Sequence, residues 1–109
     1  MANATAPREF SAGAIRINGR AQFGQSNSTL IPLAILHHQV ISPGAKLVYS
    51  KLLNYASAGA PASTKRLAAD LGISPRGVRN HVAELRHARL LQVETNPGKA
   101  NLYTVSTVL

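Results

Sequence analysis

Apolar residues recur every three or four positions in three segments of the chain, a spacing typical of helices that bury one face. The longest segment begins at Ser42, which can cap a helix, and Pro43 suits the first helical position, where a missing N–H costs little. The pattern therefore predicts a helix over residues 42–56. Its expected buried face consists of Ala45, Val48, Tyr49, Leu52, Leu53 and Ala56, whereas Lys46, Ser50 and Asn54 are expected to face solvent.

Residues 63–91 contain the other two helical patterns, separated by a tight turn. Ser63 can cap the first helix, and Gly72 can end it because glycine adopts the left-handed conformation at low cost. Ser74 and Pro75 then begin a second helix. Its apolar stripe is Val78, Val82, Leu85 and Leu90, and its other face carries Arg76, Arg79, Asn80 and Arg86. Two short helices joined in this way predict a helix-turn-helix whose second helix enters a DNA major groove.

Two short segments after these helices alternate between apolar and polar residues, as half-buried strands do. They cover residues 91–95 and 102–105, and the turn-forming residues Asn96, Pro97 and Gly98 lie between them. The arrangement predicts a β-hairpin that follows the helix pair as a wing. Before the helices, Leu30-Ile31 is expected to add a third strand at the edge of that hairpin. Residues 33–36 are expected to form a helical turn packed on the core.

Residues 1–28 are rich in Ala, Gly, Ser and Asn and contain few large apolar residues. They are predicted to form a flexible basic arm that precedes the domain at residues 29–109. The alternation at residues 14–17 suits a short strand. The arginines of this arm, Arg8, Arg16 and Arg20, either reach DNA or belong to a leader without that role.

Twelve Lys and Arg residues against four Asp and Glu residues give a net charge of +8, which favours a polyanionic partner such as nucleic acid. The chain has no cysteine, and the adjacent His37 and His38 do not share a helix face, so we expect no metal and no cofactor. Asp70 and Glu84 lie on separate predicted helices and are expected at the surface, so no enzyme is predicted. Because no long apolar run or secretory signal is visible, we expect a cytoplasmic protein without membrane contact.

Several short motifs occur in a defined order: Ile41-Ser42-Pro43, Ala45-Lys46-Leu47-Val48-Tyr49, Leu52-Leu53, Leu67-Ala68, Asp70-Leu71-Gly72-Ile73-Ser74, Val78-Arg79 and Asn101-Leu102-Tyr103. Together they resemble the winged helix-turn-helix domains of plasmid and phage replication initiators and of related small bacterial regulators, over residues 30–105. Two positions depart from that pattern, since such domains often carry a small residue in place of His81 and glycine in place of Arg89. We expect His81 either to be partly buried where the second helix packs on the first, or to turn toward DNA.

The resemblance implies a mainly helical α+β fold with three main helices and a C-terminal hairpin wing. It implies sequence-specific binding of double-stranded DNA, by the origin-binding part of a replication initiator or by a small transcriptional regulator. Such a protein would act at the nucleoid or on a plasmid, with a homodimer on DNA as one arrangement. A winged helix that recruits a protein or binds RNA is the alternative.

The geometry of a helix-turn-helix assigns roles to individual residues, because the first turns of the second helix face the bases. The expected base-reading residues are Arg76, Arg79, Asn80 and Ser74. Arg76 is the best candidate for a bidentate contact with guanine, and Asn80 can pair with the N6 and N7 atoms of adenine. The residues expected to contact the DNA backbone are Ser63, Thr64, Lys65 and Arg66 at the start of the first helix, and Lys99 and Asn101 on the wing.

Overall fold

Four helices are followed by a two-stranded hairpin in the computed structural model, which describes residues 29–95, 97–98 and 101–107. The helices are α1 (Leu33–Leu36), α2 (Pro43–Ala58), α3 (Thr64–Leu71) and α4 (Pro75–His87), and the strands are β1 (Leu91–Glu94) and β2 (Leu102–Val105). This is the predicted winged helix-turn-helix: three main helices, a C-terminal hairpin and the short helical turn before them. The predicted arm at residues 1–28, including the strand at residues 14–17, lies outside the described residues.

Serine caps fix the starts of the three main helices. The Ser42 Oγ accepts the backbone N–H of Ala45 at 3.2 Å, the first of three such caps. Ser63 caps α3 and Ser74 caps α4 in the same way, at 3.1 Å and 2.9 Å. Each cap satisfies a backbone donor that has no partner inside its helix. The predicted helix starts are therefore confirmed, and α2 continues two residues beyond its predicted end.

The three main helices end with a residue in the left-handed conformation. Gly59 and Gly72 follow α2 and α3, each with φ of 68°. Arg89 follows α4 with φ of 61°, and the next residue, Leu90, donates its N–H to the Leu85 carbonyl at 2.9 Å. The three helix ends thus share one backbone conformation, although only two of them use glycine.

The core lies between α2, α3, α4 and the base of the hairpin. Its most deeply buried large side chains are Tyr49, Ile35, Leu67, Leu85, Val48 and Val78. β1 and β2 pair antiparallel, with Leu91 opposite Val105. The Tyr49 hydroxyl donates to the Ser106 carbonyl at 2.7 Å, and the Ser106 N–H bonds to the Leu90 carbonyl at 3.0 Å. The base of the wing is therefore tied both to α2 and to the end of α4.

The predicted third strand at Leu30-Ile31 is wrong. Within the described residues the sheet has two strands, and this segment runs beside α2, where the Leu30 carbonyl accepts the Ser50 hydroxyl at 3.4 Å. Pro32, which has no N–H to donate to a sheet, precedes α1 directly. The predicted helical turn is confirmed as α1, but of the three residues expected to pack on the core only Ile35 is buried, whereas Leu33 and Leu36 are exposed.

Two side chains of α2 also differ from their predicted environments. Ser50 was expected to face solvent, but it is only 3% exposed because the segment before α1 covers it. Ala56 was expected in the core but is exposed near the end of the helix. The segment before α1 therefore widens the buried face of α2 beyond the stripe that its sequence spacing predicts.

Candidate nucleic-acid interface

The outward face of α4 presents polar and basic side chains along its whole length. Arg76, Arg79 and Asn80, three of the predicted base-reading residues, are exposed on this face. Ala83, Arg86 and His87 are also exposed, and at about 100° per residue they share the same side of the helix. Val78 and Leu85 lie on the opposite side and are fully buried. The face extends from Arg76 to His87, about 17 Å along the helix axis at about 1.5 Å per residue.

The start of α4 is held by Ser74, the fourth predicted base-reading residue. Its Oγ accepts the Gly77 N–H at 2.9 Å, and a Cβ atom added to Gly77 would lie 3.2 Å from that oxygen. Glycine therefore leaves room for the cap. Because the hydroxyl accepts in this bond, its own proton can still be donated to a ligand at the end of the helix.

Glu84, the one acidic residue of α4, is held against the start of α2. Its carboxylate accepts the Ser42 backbone N–H at 2.9 Å, the Ser42 hydroxyl at 2.6 Å and a bond with the His81 Nδ1 at 2.8 Å. The hydroxyl bond from Ser42, and then the bond with His81, lower the pKa of Glu84. Glu84 was expected at the surface; it is half-exposed and joins two helices. Its charge is consequently kept on the α2 side of α4.

His81 is half-buried, in agreement with the first of the two expectations for this residue. Its polar contacts are made with Glu84 and with the Ser42 hydroxyl at 3.3 Å, at the start of α2 and not on α3. The ring also lies directly over Gly44, where an added Cβ atom would collide with it. Ser42, His81 and Glu84 do not form a catalytic relay, because hydroxyl and carboxylate meet the same ring nitrogen. A relay needs the two groups on opposite nitrogens.

Four of the residues predicted to contact the DNA backbone lie at the start of α3. Ser63, Lys65 and Arg66 are exposed, whereas Thr64 is partly buried. Arg66 is already engaged: its Nε lies 3.8 Å from the Asp70 carboxylate, and its guanidinium lies 4.7 Å from the centre of the Tyr55 ring. Lys65 has no such engagement among the described residues. Of the two cations, Lys65 is the exposed one whose charge has no such contact in the described part of the chain.

Asp70 is the centre of this second polar cluster. It accepts a hydrogen bond from the Tyr55 hydroxyl and lies 3.8 Å from the Lys51 Nζ. Burial, and then the bond to Asp70, raises the pKa of Tyr55 to about 12. Asp70 is thus a structural partner of α2 and not an isolated surface acid. The cluster fixes the orientation of α3 on α2, and with it the positions of the residues that begin α3.

Residues 39–91 match a protein family described as a helix-turn-helix domain. These residues form a helix-turn-helix domain. The matched segment contains α2, α3, α4 and the first residue of β1, so it includes the two helices of the motif and the helix that supports them. Neither the curated proteins nor the solved structures contain a significant match to the chain.

The wing extends the helix-turn-helix domain beyond its matched segment. Asn101 is exposed just before β2, whereas Lys99 lies outside the described residues. In residues 29–95, 97–98 and 101–107, no cluster of His, Asp or Glu side chains is arranged to hold a metal ion. No helix in those ranges combines the length and apolar character needed to cross a membrane.

Two residues of the outward α4 face, Ala83 and His87, were not predicted from the sequence. The signal that would have found them is spacing: counted from Arg76, they stand seven and eleven positions further on, and Asn80 stands four. The prediction of base-reading residues covered only the first turns of the helix. The observed face continues to the last turn, where Arg86 and His87 place basic character near the wing.

Proposed function

We propose that the helix-turn-helix domain binds double-stranded DNA sequence-specifically, with α4 in the major groove. The observation that carries this proposal is the exposed, acid-free outward face of α4. Arg76 and Asn80 have the side-chain chemistry for bidentate hydrogen bonds to guanine and adenine, respectively. Arg79 and Ser74 complete the proposed base-reading set. With Glu84 held against α2, the one acid of this helix is withdrawn from the face that would meet phosphates.

The proposed backbone contacts come from the start of α3 and from the wing. Ser63, Thr64 and Lys65 offer a hydroxyl pair and a cation at a helix N-terminus, where free N–H groups also attract anions. Arg66 contributes if it exchanges its long contact with Asp70 for a phosphate oxygen. Lys99 and Asn101 of the wing are proposed to contact phosphate or the minor groove.

Two biological roles fit such a domain, the origin-binding part of a plasmid- or phage-type replication initiator and a small transcriptional regulator. Both would act in the cytoplasm, at the nucleoid or on a plasmid. They differ in the arrangement of their sites, since initiators need repeated sites at an origin whereas regulators need an operator near a promoter. Mapping the selected sequence onto its own replicon separates the two.

We also propose that two copies bind together, through the face of α1 and the loop that follows it. Leu33, Leu36 and Val40 are 66%, 46% and 83% exposed there. Residues 29–45 contain no Lys, Arg, Asp or Glu, and the ammonium of the adjacent Lys46 is bonded to the Leu36 carbonyl, so the apolar side chains of this face can pack on a second copy despite the net charge of +8. Light scattering of the free and DNA-bound protein should show a dimer that Leu36→Glu abolishes; a monomer under both conditions overturns this arrangement.

Selection of binding sites from random duplex DNA tests the main proposal, and a matched pair of variants separates the two kinds of contact. Arg76→Ala should relax preference at one base position, at a cost of about 1–3 kcal/mol on the selected site and little on random DNA. Lys65→Ala should weaken binding to both alike and lower the salt slope by about 0.9.

Three outcomes count against the proposal. If the protein selects no preferred sequence, the proposal of sequence-specific binding is wrong. If it prefers single-stranded or hairpin RNA over duplex DNA, the RNA-binding alternative replaces it. Equal losses on selected and random DNA for Arg76→Ala would remove that residue from base reading.

A further inference from the structure

Arg89 occupies a backbone conformation that L-amino acids rarely adopt. Its φ of 61° is in the left-handed region, where the equivalent residues after α2 and α3 are Gly59 and Gly72. The conformation is imposed by the helix end: the Arg89 N–H bonds to the Arg86 carbonyl at 3.0 Å and the Leu90 N–H bonds to the Leu85 carbonyl. Leu85 and Leu90 are both buried, so α4 cannot end differently without removing Leu90 from the core.

A residue with a Cβ atom is strained in this conformation, and glycine would relieve the strain. Nothing that the structure describes compensates for it. Arg89 is exposed, and among the described residues none forms a hydrogen bond or ion pair with its guanidinium. Strained residues cluster at active sites and at sites that hold a ligand. The side chain of Arg89 must therefore be judged by what it can bind.

The location of Arg89 indicates which ligand that is. It stands between the end of α4 at His87 and the start of β1 at Leu91, that is, between the proposed major-groove helix and the wing. In B-form DNA a phosphate backbone separates the major groove from the adjacent minor groove, so the backbone passes the joint between a helix in one and a hairpin in the other. The planar fork of a guanidinium matches the oxygens of a phosphate group.

We propose that Arg89 is a phosphate-binding residue of the DNA interface, retained at a position whose backbone favours glycine because its guanidinium contacts the DNA backbone beside α4. This inference rests on the proposed DNA binding and adds to it a contact outside the outward α4 face. It makes an unusual prediction, since the substitution that improves the fold should weaken the function.

The test measures thermal stability and DNA affinity on the same full-length variants, with a random-sequence duplex of about 25 base pairs as the probe, over a range of salt concentrations. Arg89→Gly removes both the strain and the cation. We expect its Tm to rise by about 4–8 °C, the shift that relief of such strain gives in a domain of this size. We expect its affinity to fall about eightfold at 0.1 M salt, since the loss of one phosphate contact lowers the salt slope by about 0.9.

Three further variants make the result specific. Arg89→Ala removes the cation but keeps the strain, so its affinity should match that of Arg89→Gly without the gain in Tm. Arg89→Lys should keep the wild-type salt slope. Lys46→Gln removes one charge from the flank of α2, where the Lys46 Nζ donates to the Leu36 carbonyl, and should leave the slope unchanged.

Each contrary result has a distinct meaning. A wild-type salt slope for Arg89→Gly overturns the phosphate contact, as does an equal loss for Lys46→Gln, which would show an effect of net charge alone. A lower Tm for Arg89→Gly overturns the premise that the side chain is dispensable to the fold. Failure of the wild-type protein to bind the duplex at low salt overturns the proposed function itself, and this inference with it.

Discussion

Replacing Gly44 with alanine tests the joint between α2 and α4, because the added methyl group has no room. The ring of His81 lies over Gly44, and a Cβ atom at that position would collide with two atoms of the ring and lie 3.0 Å from a third. The ring cannot move aside freely, because its Nδ1 is bonded to Glu84 at 2.8 Å. The substitution therefore displaces either a hydrogen-bonded side chain or α4 itself.

The magnitude follows from two opposing effects. Alanine normally stabilises a helix relative to glycine by about 0.5–1 kcal/mol. Overpacking a filled site costs about 1–3 kcal/mol. We therefore expect Gly44→Ala to lower the free energy of unfolding by about 1–2 kcal/mol. In a His81→Ala background the space is open, and the same substitution should raise the free energy of unfolding by about 0.5 kcal/mol, which gives a coupling of about 2 kcal/mol.

Urea denaturation of the wild type, the two single variants and the double variant measures this coupling directly. The His81→Ala background is the matched control, since it keeps the helix and its serine cap and removes only the ring. If Gly44→Ala stabilised the protein equally in both backgrounds, the packing of His81 on Gly44 would be refuted. A fall in stability of similar size in both backgrounds would place the obstruction elsewhere.

Three further predictions concern single polar contacts. The pKa of Glu84 is depressed chiefly by Ser42, so this carboxylate stabilises the fold above its unfolded pKa and the contribution is lost as pH falls through the folded one; Glu84→Gln should flatten the decline of Tm between about pH 5 and pH 3. The raised pKa of Tyr55, about 12 against 10.0 when unperturbed, means that stability is lost as pH rises through that interval. Asp70→Asn should lower the midpoint of phenolate absorbance but leave it above the unperturbed value, because burial is the larger cause; an unchanged midpoint would contradict the hydrogen bond. Tyr49→Phe removes the 2.7 Å bond between α2 and the base of the wing and should cost about 1 kcal/mol in urea, whereas no change would show that the bond is dispensable.

Local signals predicted most of the fold. Serine caps act over three residues, and the starts of α2, α3 and α4 could be found from Ser42, Ser63 and Ser74 because the relevant contact is within the next turn. The hairpin followed from alternation and from a turn sequence of the same short range. Leu30-Ile31 failed for the opposite reason, since two apolar residues before a proline do not specify whether they pair with a strand or lie along a helix.

Contacts between residues far apart in the sequence could not be predicted from it. The contacts of Ser42 with His81 and Glu84 join residues 39 and 42 positions apart, and no periodicity marks them. One engagement did leave a signal, because Arg66 and Asp70 are four residues apart on one helix, the spacing of an ion pair. That spacing bears on the candidate site, since it distinguishes the engaged Arg66 from its neighbour Lys65.

The two sides of α4 share no residue, and this separation has a consequence for how the domain can change. Val78 and Leu85 hold the helix in the core, and the proposed reading residues are exposed on the other side. A library randomised at Arg76, Arg79 and Asn80 should therefore retain the fold in most of its members, while sampling many target sequences. In evolution the same arrangement would let a protein of this architecture acquire a new binding site by a few surface substitutions, without passing through an unstable intermediate.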